Sequence, residues 1–201
     1  MSREKSFSYE ESLHQAMDLF WEKGYHATSM DDLANTLSLN RSSIYNSFGG
    51  KKDIFLKGLV QYQNMNFQLL QTLFSEISSV RVAFAKLFEN TFCALNQDAK
   101  RRGCFLVNTS TEMAPADAEI QSFLKEHKIK IIQIFTDKIQ EGIQVGELRS
   151  DLKAREIAEY LYTLYNGIGV ISKLESTLER LPFTLEMVRF ALPSQNVLAN
   201  T

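Results

Sequence analysis

The stretch "NRSSIYNSFGGKK", residues 40–52, gathers hydrogen-bonding groups whose types and spacing suit recognition rather than catalysis. Arg41 and Asn46 can each make paired hydrogen bonds to the edges of bases. The hydroxyls of Ser42 and Tyr45 suit phosphate oxygens. Lys51 and Lys52 stand at the expected start of a following helix, where cations and free backbone N–H groups together can hold a phosphate. Only Ile44 and Phe48 are large and apolar, four residues apart, so they pin one side of a helix barely two turns long. Such a helix is marginal alone in water. Its polar side faces either a duplex groove or the plain solvent around an ordinary three-helix pack.

A second stretch could do thiol chemistry. In "RRGCFLVNTSTEM", Arg101 and Arg102 precede Cys104 at an expected helix N-terminus, and both features lower a thiol's pKa. The alternative is a small, inert, apolar cysteine packed against Phe105. Cys93, within a Phe-rich segment, reads as core. Enzyme signatures are missing: there is no HExxH, CxxC, glycine-rich phosphate loop or paired Glu-x-x-His, and the three histidines, His14, His26 and His127, are scattered. No metal site and no cofactor are expected.

These groups need elements to position them. The chain has 201 residues, 44% of them hydrophobic, with 3 prolines and 9 glycines, which favours an all-helical fold with a sizeable core. Two cysteines, no secretory signal and no long apolar run read as a soluble cytoplasmic protein. The net charge of −2 gives no bulk attraction for nucleic acid, so any DNA contact must come from a few placed cations. Helix one is expected from about Ser8 to Lys23, with Leu13, Ala16, Met17 and Phe20 on one face and Gly24 ending it. Thr28 or Ser29 caps helix two, with Asp31 and Asp32 in its first turn and Met30, Leu33, Ala34 and Leu37 inward. Ser38, Leu39 and Asn40 form a tight turn, with Leu39 plugging the core, before helix three at Arg41–Phe48. That is a helix-turn-helix arrangement.

The stretch from Gly24 to Phe55 resembles the DNA-binding domain of the TetR family of bacterial repressors. The matching positions are Gly24–Tyr25, Thr28–Ser29–Met30, Asp32–Leu33–Ala34, Ile44–Tyr45, Phe48, Lys51 and Ile54–Phe55. Ser47 stands where His is frequent and Ser43 where Thr is usual, and the resemblance covers about residues 9–60. It implies a DNA-binding domain at 1–52, with helix four shared, and a helical effector-binding and dimerisation domain at 53–201, about nine helices in all. It implies DNA contacts from Thr28, Ser29, Arg41, Ser42, Ser43, Tyr45, Asn46, Ser47 and Lys51.

The remaining helices are expected from Lys51 past Leu73, Val80–Ala99, Cys104–Met113, Asp117–Gly142, Leu152–Leu174 and Phe183–Leu192. The resemblance implies an effector cavity in this half, and the aromatic content with the continuous helix four points to an apolar or aromatic small molecule bound among helices four to eight. Its candidate lining is Phe67, Phe88, Phe92, Phe105, Phe135, Tyr162 and Tyr165, with Asn108, Thr111 and Asn166 as polar anchors. It also implies a homodimer through the last two long helices. Gly167 and Gly169 inside a helix cost about 1 kcal/mol each, which close approach of another helix, internal or from a partner, would justify. The "GC-apolar-apolar" run at Cys104 is similar to the start of helix six in a TetR branch that includes an electrophile- and oxidant-sensing repressor. Three functions stand: an effector-released repressor on operator DNA, a helical-bundle enzyme, and a DNA-binding protein without small-molecule control.

Overall fold

A computed structural model describes residues 8–176 and 178–195. The described residues form nine α-helices: α1 Tyr9–Lys23, α2 Met30–Leu37, α3 Arg41–Phe48, α4 Lys51–Glu76, α5 Val80–Gln97, α6 Phe105–Glu112, α7 Ala118–Gln144, α8 Ala154–Ile171 and α9 Leu181–Ala191. No strand occurs among them beyond one isolated bridge, Leu148 to Ser194. The all-helical expectation holds, and helix ends shift by a few residues.

Local chemistry sets the first three boundaries. Ser8 caps α1 through its hydroxyl, which accepts from Glu11 N. Gly24 ends α1 at φ 86°, a left-handed conformation that disfavours a Cβ. Ser29 and Asp32 form a reciprocal capping box on α2. Asn40 caps α3 by accepting from Ser43 N at 2.8 Å.

Two apolar clusters hold the helices. The first joins Ala16, Met17 and Phe20 of α1 to Leu33, Leu37, Ile44, Phe48, Ile54, Phe55 and Leu59, with Leu39 packed against it as expected. It also takes Phe105, Leu106, Met113 and Ile120 from α6 and the start of α7. The DNA-binding half is therefore not a closed unit ending at residue 52. The second cluster packs the end of α4 with α5, α7, α8 and α9 around Phe74, Phe84, Phe88, Phe92 and Phe135. The 26-residue α4 belongs to both, through Ile54, Phe55 and Leu59 at one end and Leu70 and Phe74 at the other.

Candidate nucleic-acid interface and the cavities behind it

Ile44 and Phe48 are fully buried, and the Phe48 ring stacks on Tyr9 at 4.7 Å. Lys57 Nζ donates to the Phe48 carbonyl at 2.7 Å, closing the C-terminal end of α3. Anchored on that side, α3 presents Arg41, Ser42, Tyr45 and Asn46 to solvent, with Tyr45 53% exposed, while Ser43 and Ser47 lie half-buried at its flanks. The structure thus brings these polar residues onto one exposed face. Arg41 donates through Nε (2.9 Å) and Nη2 (2.6 Å) to Asp31 Oδ1 on α2. Both partners are well exposed, so the pair adds little stability and a phosphate or base can compete for the guanidinium.

Four expected DNA or phosphate contacts are placed differently. Thr28 is buried, and its hydroxyl donates to the Gly24 carbonyl at 2.6 Å, so it bridges the α1–α2 loop instead of reaching outward. Lys51 is turned inward: its ammonium donates to the Thr28 carbonyl at 2.6 Å and lies 4.3 Å from the centre of the Tyr25 ring. The phosphate nest expected at the start of α4 is also occupied, because Gly50 N donates to Asp53 Oδ2 at 2.6 Å. Lys52 is spent elsewhere, on Asp117 and Glu119 at the start of α7. Ser29 remains exposed, with its hydroxyl donating to Asp32. Lys23, with Ser29, holds the Asp32 carboxyl well below its ordinary range.

Several ties fasten this module to the rest of the chain. The Glu112 carboxylate, at the last residue of α6, accepts from Tyr25 N (3.1 Å) and His26 N (2.8 Å) in the α1–α2 loop. Trp21 Nε1 donates to the Gly103 carbonyl at 3.1 Å. Arg102 donates to Asp18 at 2.9 Å and pairs with Asp98. None of these was legible in the sequence, since most join residues more than 80 positions apart.

Behind α1 and α6 lie two neighbouring cavities. The smaller, about 280 Å³, lies among Trp21, Tyr62, Asn66, Leu87, Thr91 and Tyr165. The larger, about 440 Å³, lies among Leu106, Leu124, His127, Ile131, Tyr162 and Tyr165. Asn66, Leu70, Cys104, Tyr165 and Asn166 border both. Of the candidate lining, Tyr162, Tyr165 and Asn166 border these cavities. The phenylalanines do not. Phe88, Phe92 and Phe135 fill the second core, Phe105 fills the first, and Phe67 lies beside the His127 ring at 5.2 Å. Asn108 is consumed by bonds to the Arg102 carbonyl (2.7 Å) and from Lys173 (3.1 Å), and the Thr111 hydroxyl donates back to the Asn108 carbonyl. Aromatic content marked the cores, while the cavity walls are drawn from leucines, asparagines and tyrosines. Trp21, Tyr62, Asn66 and His127 were missed. The lone tryptophan beside the α1 apolar stripe was the available signal.

The expectation for Cys93 needs correction, and of the two readings offered for Cys104 the structure fits the unactivated thiol. Cys93 is exposed on α5, not core. Cys104 is half-buried, its Sγ accepts from the Tyr62 hydroxyl at 3.8 Å, and burial pushes its thiol pKa up, against the opposing N–H groups of α6 and that hydroxyl. The two arginines do not lower it. Arg102 is held by Asp18 and Asp98 and lies 4.0 Å over the Trp21 ring, and Arg101 is exposed.

The α8–α9 region leaves Tyr160, Val170, Ile171, Leu174, Phe183 and Phe190 exposed, the last at 81%. Gly167 has open space beside it, whereas a Cβ on Gly169 would meet Cys104 Cβ at 3.1 Å. Close internal packing thus accounts for Gly169, against the start of α6. Among the described residues no cluster of His, Cys, Asp or Glu could hold a metal, and no helix is long and apolar enough to cross a membrane.

Comparisons with known proteins agree with this architecture. Residues 13–57 match the family model "Bacterial regulatory proteins, tetR family", and residues 83–186 match "Tetracyclin repressor-like, C-terminal domain". The chain is 28% identical over 183 residues to the HTH-type transcriptional regulator YezE of Bacillus subtilis, covering 90% of this chain and 94% of that one. It is 27% identical over 180 residues to the HTH-type transcriptional repressor ComR of Escherichia coli, covering 89% and 86%. A cysteine mutant of the TetR family transcriptional regulator CifR, solved in complex with 26-base-pair double-strand operator DNA, superposes with a TM-score of 0.85 at 26% identity, covering 96% of this chain and all of that one. With one family model on the helix-turn-helix and a second on more than half the chain, the protein belongs to the TetR family of DNA-binding transcriptional regulators, which are not enzymes.

Proposed function

We propose that the protein is a cytoplasmic homodimeric repressor that reads a palindromic operator with α3 and leaves it when an apolar or aromatic effector occupies the cavities. The exposed polar face of α3, clamped from behind by Ile44 and Phe48, carries this reading. Asn46 and Arg41 supply base-edge contacts, and Ser42 and Tyr45 supply phosphate contacts. One short helix gives too little specificity alone, so two copies acting on two half-sites are needed. The exposed apolar residues around α8 and α9 support a pairing surface there.

The eight-residue α6 favours effector control over concentration-only control. Its N-cap, Cys104, borders both cavities, and its last residue, Glu112, holds the loop that leads into α2. A ligand that shifts Cys104 also shifts the carboxylate on which the α1–α2 loop hangs. Differential affinity of a ligand for the two arrangements is typically worth about 1–3 kcal/mol. Selection of duplexes from a randomised pool, with gel shifts on the winners, tests the DNA reading. A recovered palindrome bound by two protomers is the expected result, and no sequence preference would refute it. Glu112→Gln should preserve the fold while reducing any effector's influence on operator affinity.

A further inference from the structure

The two cavities differ in charge, and the difference points to a ligand class. The larger cavity has Lys125 and Lys128 among its lining residues and no carboxylate. Both lysines are exposed at its rim. Deeper in the same wall, His127 is 92% buried. The Gln63 amide Nε2 lies 3.2 Å from His127 Nδ1, and with that amide donating, the tautomer that fits carries its ring proton on Nε2. Among the described residues no hydrogen bond engages that Nε2–H. Burial, aided by Lys130, lowers the ring's pKa to about 4, so at neutral pH it is an uncharged donor. The smaller cavity is lined by five leucines, Trp21 and two tyrosines alongside three asparagines and Thr91, and its one charged group, Asp98, is already paired with Arg102. Asn66, Leu70 and Tyr165 stand at the boundary of the two.

We propose that the effector is an amphipathic carboxylic acid whose head is held in the larger cavity by Lys125, Lys128 and the His127 Nε2–H. Its alkyl or aryl body passes Leu70 and Tyr165 toward the leucine-lined smaller cavity. This rests on the effector-responsive reading above and names the chemistry of its ligand. The head is anionic because the only charged side chains lining that cavity are cations, and a carboxylate satisfies an ammonium and a neutral N–H donor together. The body is apolar because the adjoining wall offers leucine side chains and aromatic faces, and its Thr91 and Asn166 already donate to backbone carbonyls.

Two matched series test this on the full-length dimer: the straight-chain acids from butanoate to dodecanoate with 3-phenylpropanoate and 4-phenylbutanoate, and the primary alcohols of the same skeletons. Affinities are measured by calorimetry at pH 7. At least one acid should bind saturably, with its alcohol about tenfold or more weaker, the loss expected when a charged group loses its partners. Replacing both lysines by Gln should narrow the ratio of acid to alcohol affinity to about threefold or less, and His127→Leu should weaken the acid more than the alcohol. Binding of no acid, equal binding of acids and alcohols, or an undiminished ratio in the double-Gln variant overturns the proposal. Duplex selection without ligand on the same preparations keeps the two readings apart. A wild type that selects an operator but ignores the acids refutes the ligand class alone, and one that selects no duplex refutes the regulator reading.

Discussion

The helix-turn-helix and the cavity region are built by different kinds of contact. In the first, short-range chemistry decides nearly everything: Ser29 with Asp32, Asn40 with Ser43 N, and Ile44 with Phe48 four residues on. In the second, Gln63 meets His127, Trp21 meets Gly103, and Glu112 meets Tyr25 and His26. Capping and periodicity are local properties and can be read from a window of residues. A cavity is where several distant helices fail to touch, and no window contains that information.

The boundary between the regions is blurred by Phe105. It lies in the second half of the chain, yet packs against Phe55 (5.6 Å between ring centres), Tyr62 and Trp21 in the first core. Phe105→Ala should cost about 3–5 kcal/mol and also weaken operator binding. Phe135→Ala, in the second core, should cost a similar amount while leaving hydrogen-exchange protection of α1–α3 nearer to wild type. Urea unfolding and amide exchange measure both. If Phe105→Ala leaves α1–α3 protection intact, the first core does not depend on α6.

A smaller effect is expected from pH. His127 has its pKa lowered to about 4 in the fold, against 6.5 for the free side chain. Between those values the unfolded chain binds a proton that the native chain does not, so stability falls as pH drops through that window. At pH 5 the loss is about 2 kcal/mol relative to neutral pH. His127→Gln should flatten the dependence between pH 7 and pH 5, and an unchanged slope would mean that other groups carry it.

Base preference comes next. Asn46→Ala should relax selectivity at particular base pairs by about 1–3 kcal/mol while retaining affinity for unrelated duplex. Lys51→Ala, whose ammonium is tied to Thr28 and Tyr25, should lower thermal stability as well as binding to every sequence. If Lys51→Ala left stability untouched and weakened DNA binding alone, the lysine would act outward after all.

The same contrast explains how much could be read in advance. The helix order, the turn at Ser38–Asn40 and the outward face of Arg41, Ser42, Tyr45 and Asn46 were legible because each follows from residues three or four apart. Thr28 and Lys51 were misplaced because their partners, the Gly24 carbonyl and the Tyr25 ring, are set by how the α1–α2 loop folds. The phenylalanines were assigned to a pocket because aromatic content cannot separate a filled core from an empty one. Arg102 was credited to Cys104, its neighbour in sequence, although Asp18 lies 84 residues away in the chain and claims the guanidinium in space.

The finest test of the contrast concerns the two thiols. Sequence neighbours left Cys104 either activated or inert and made Cys93 core; the structure moves Cys93 to the surface and fits the inert reading of Cys104. Cys93 is exposed on α5, free to meet reagent. Cys104 is half-buried, accepts a hydrogen bond from Tyr62, and has its pKa raised by burial, so less of it is thiolate at neutral pH than in a free thiol. Iodoacetamide at pH 7.5 should therefore modify Cys93 first, and Cys104 more slowly, with a rate that still climbs above the ordinary thiol range of pH. Mass spectrometry of timed quenches separates the two sites. Tyr62→Phe removes the donor to Sγ and should slow Cys104 further, since that bond favours the thiolate. A Cys104 that outpaces Cys93 in the native protein would mean that the α6 N-terminus outweighs burial, and the thiol would then become a credible sensor at the wall of the two cavities.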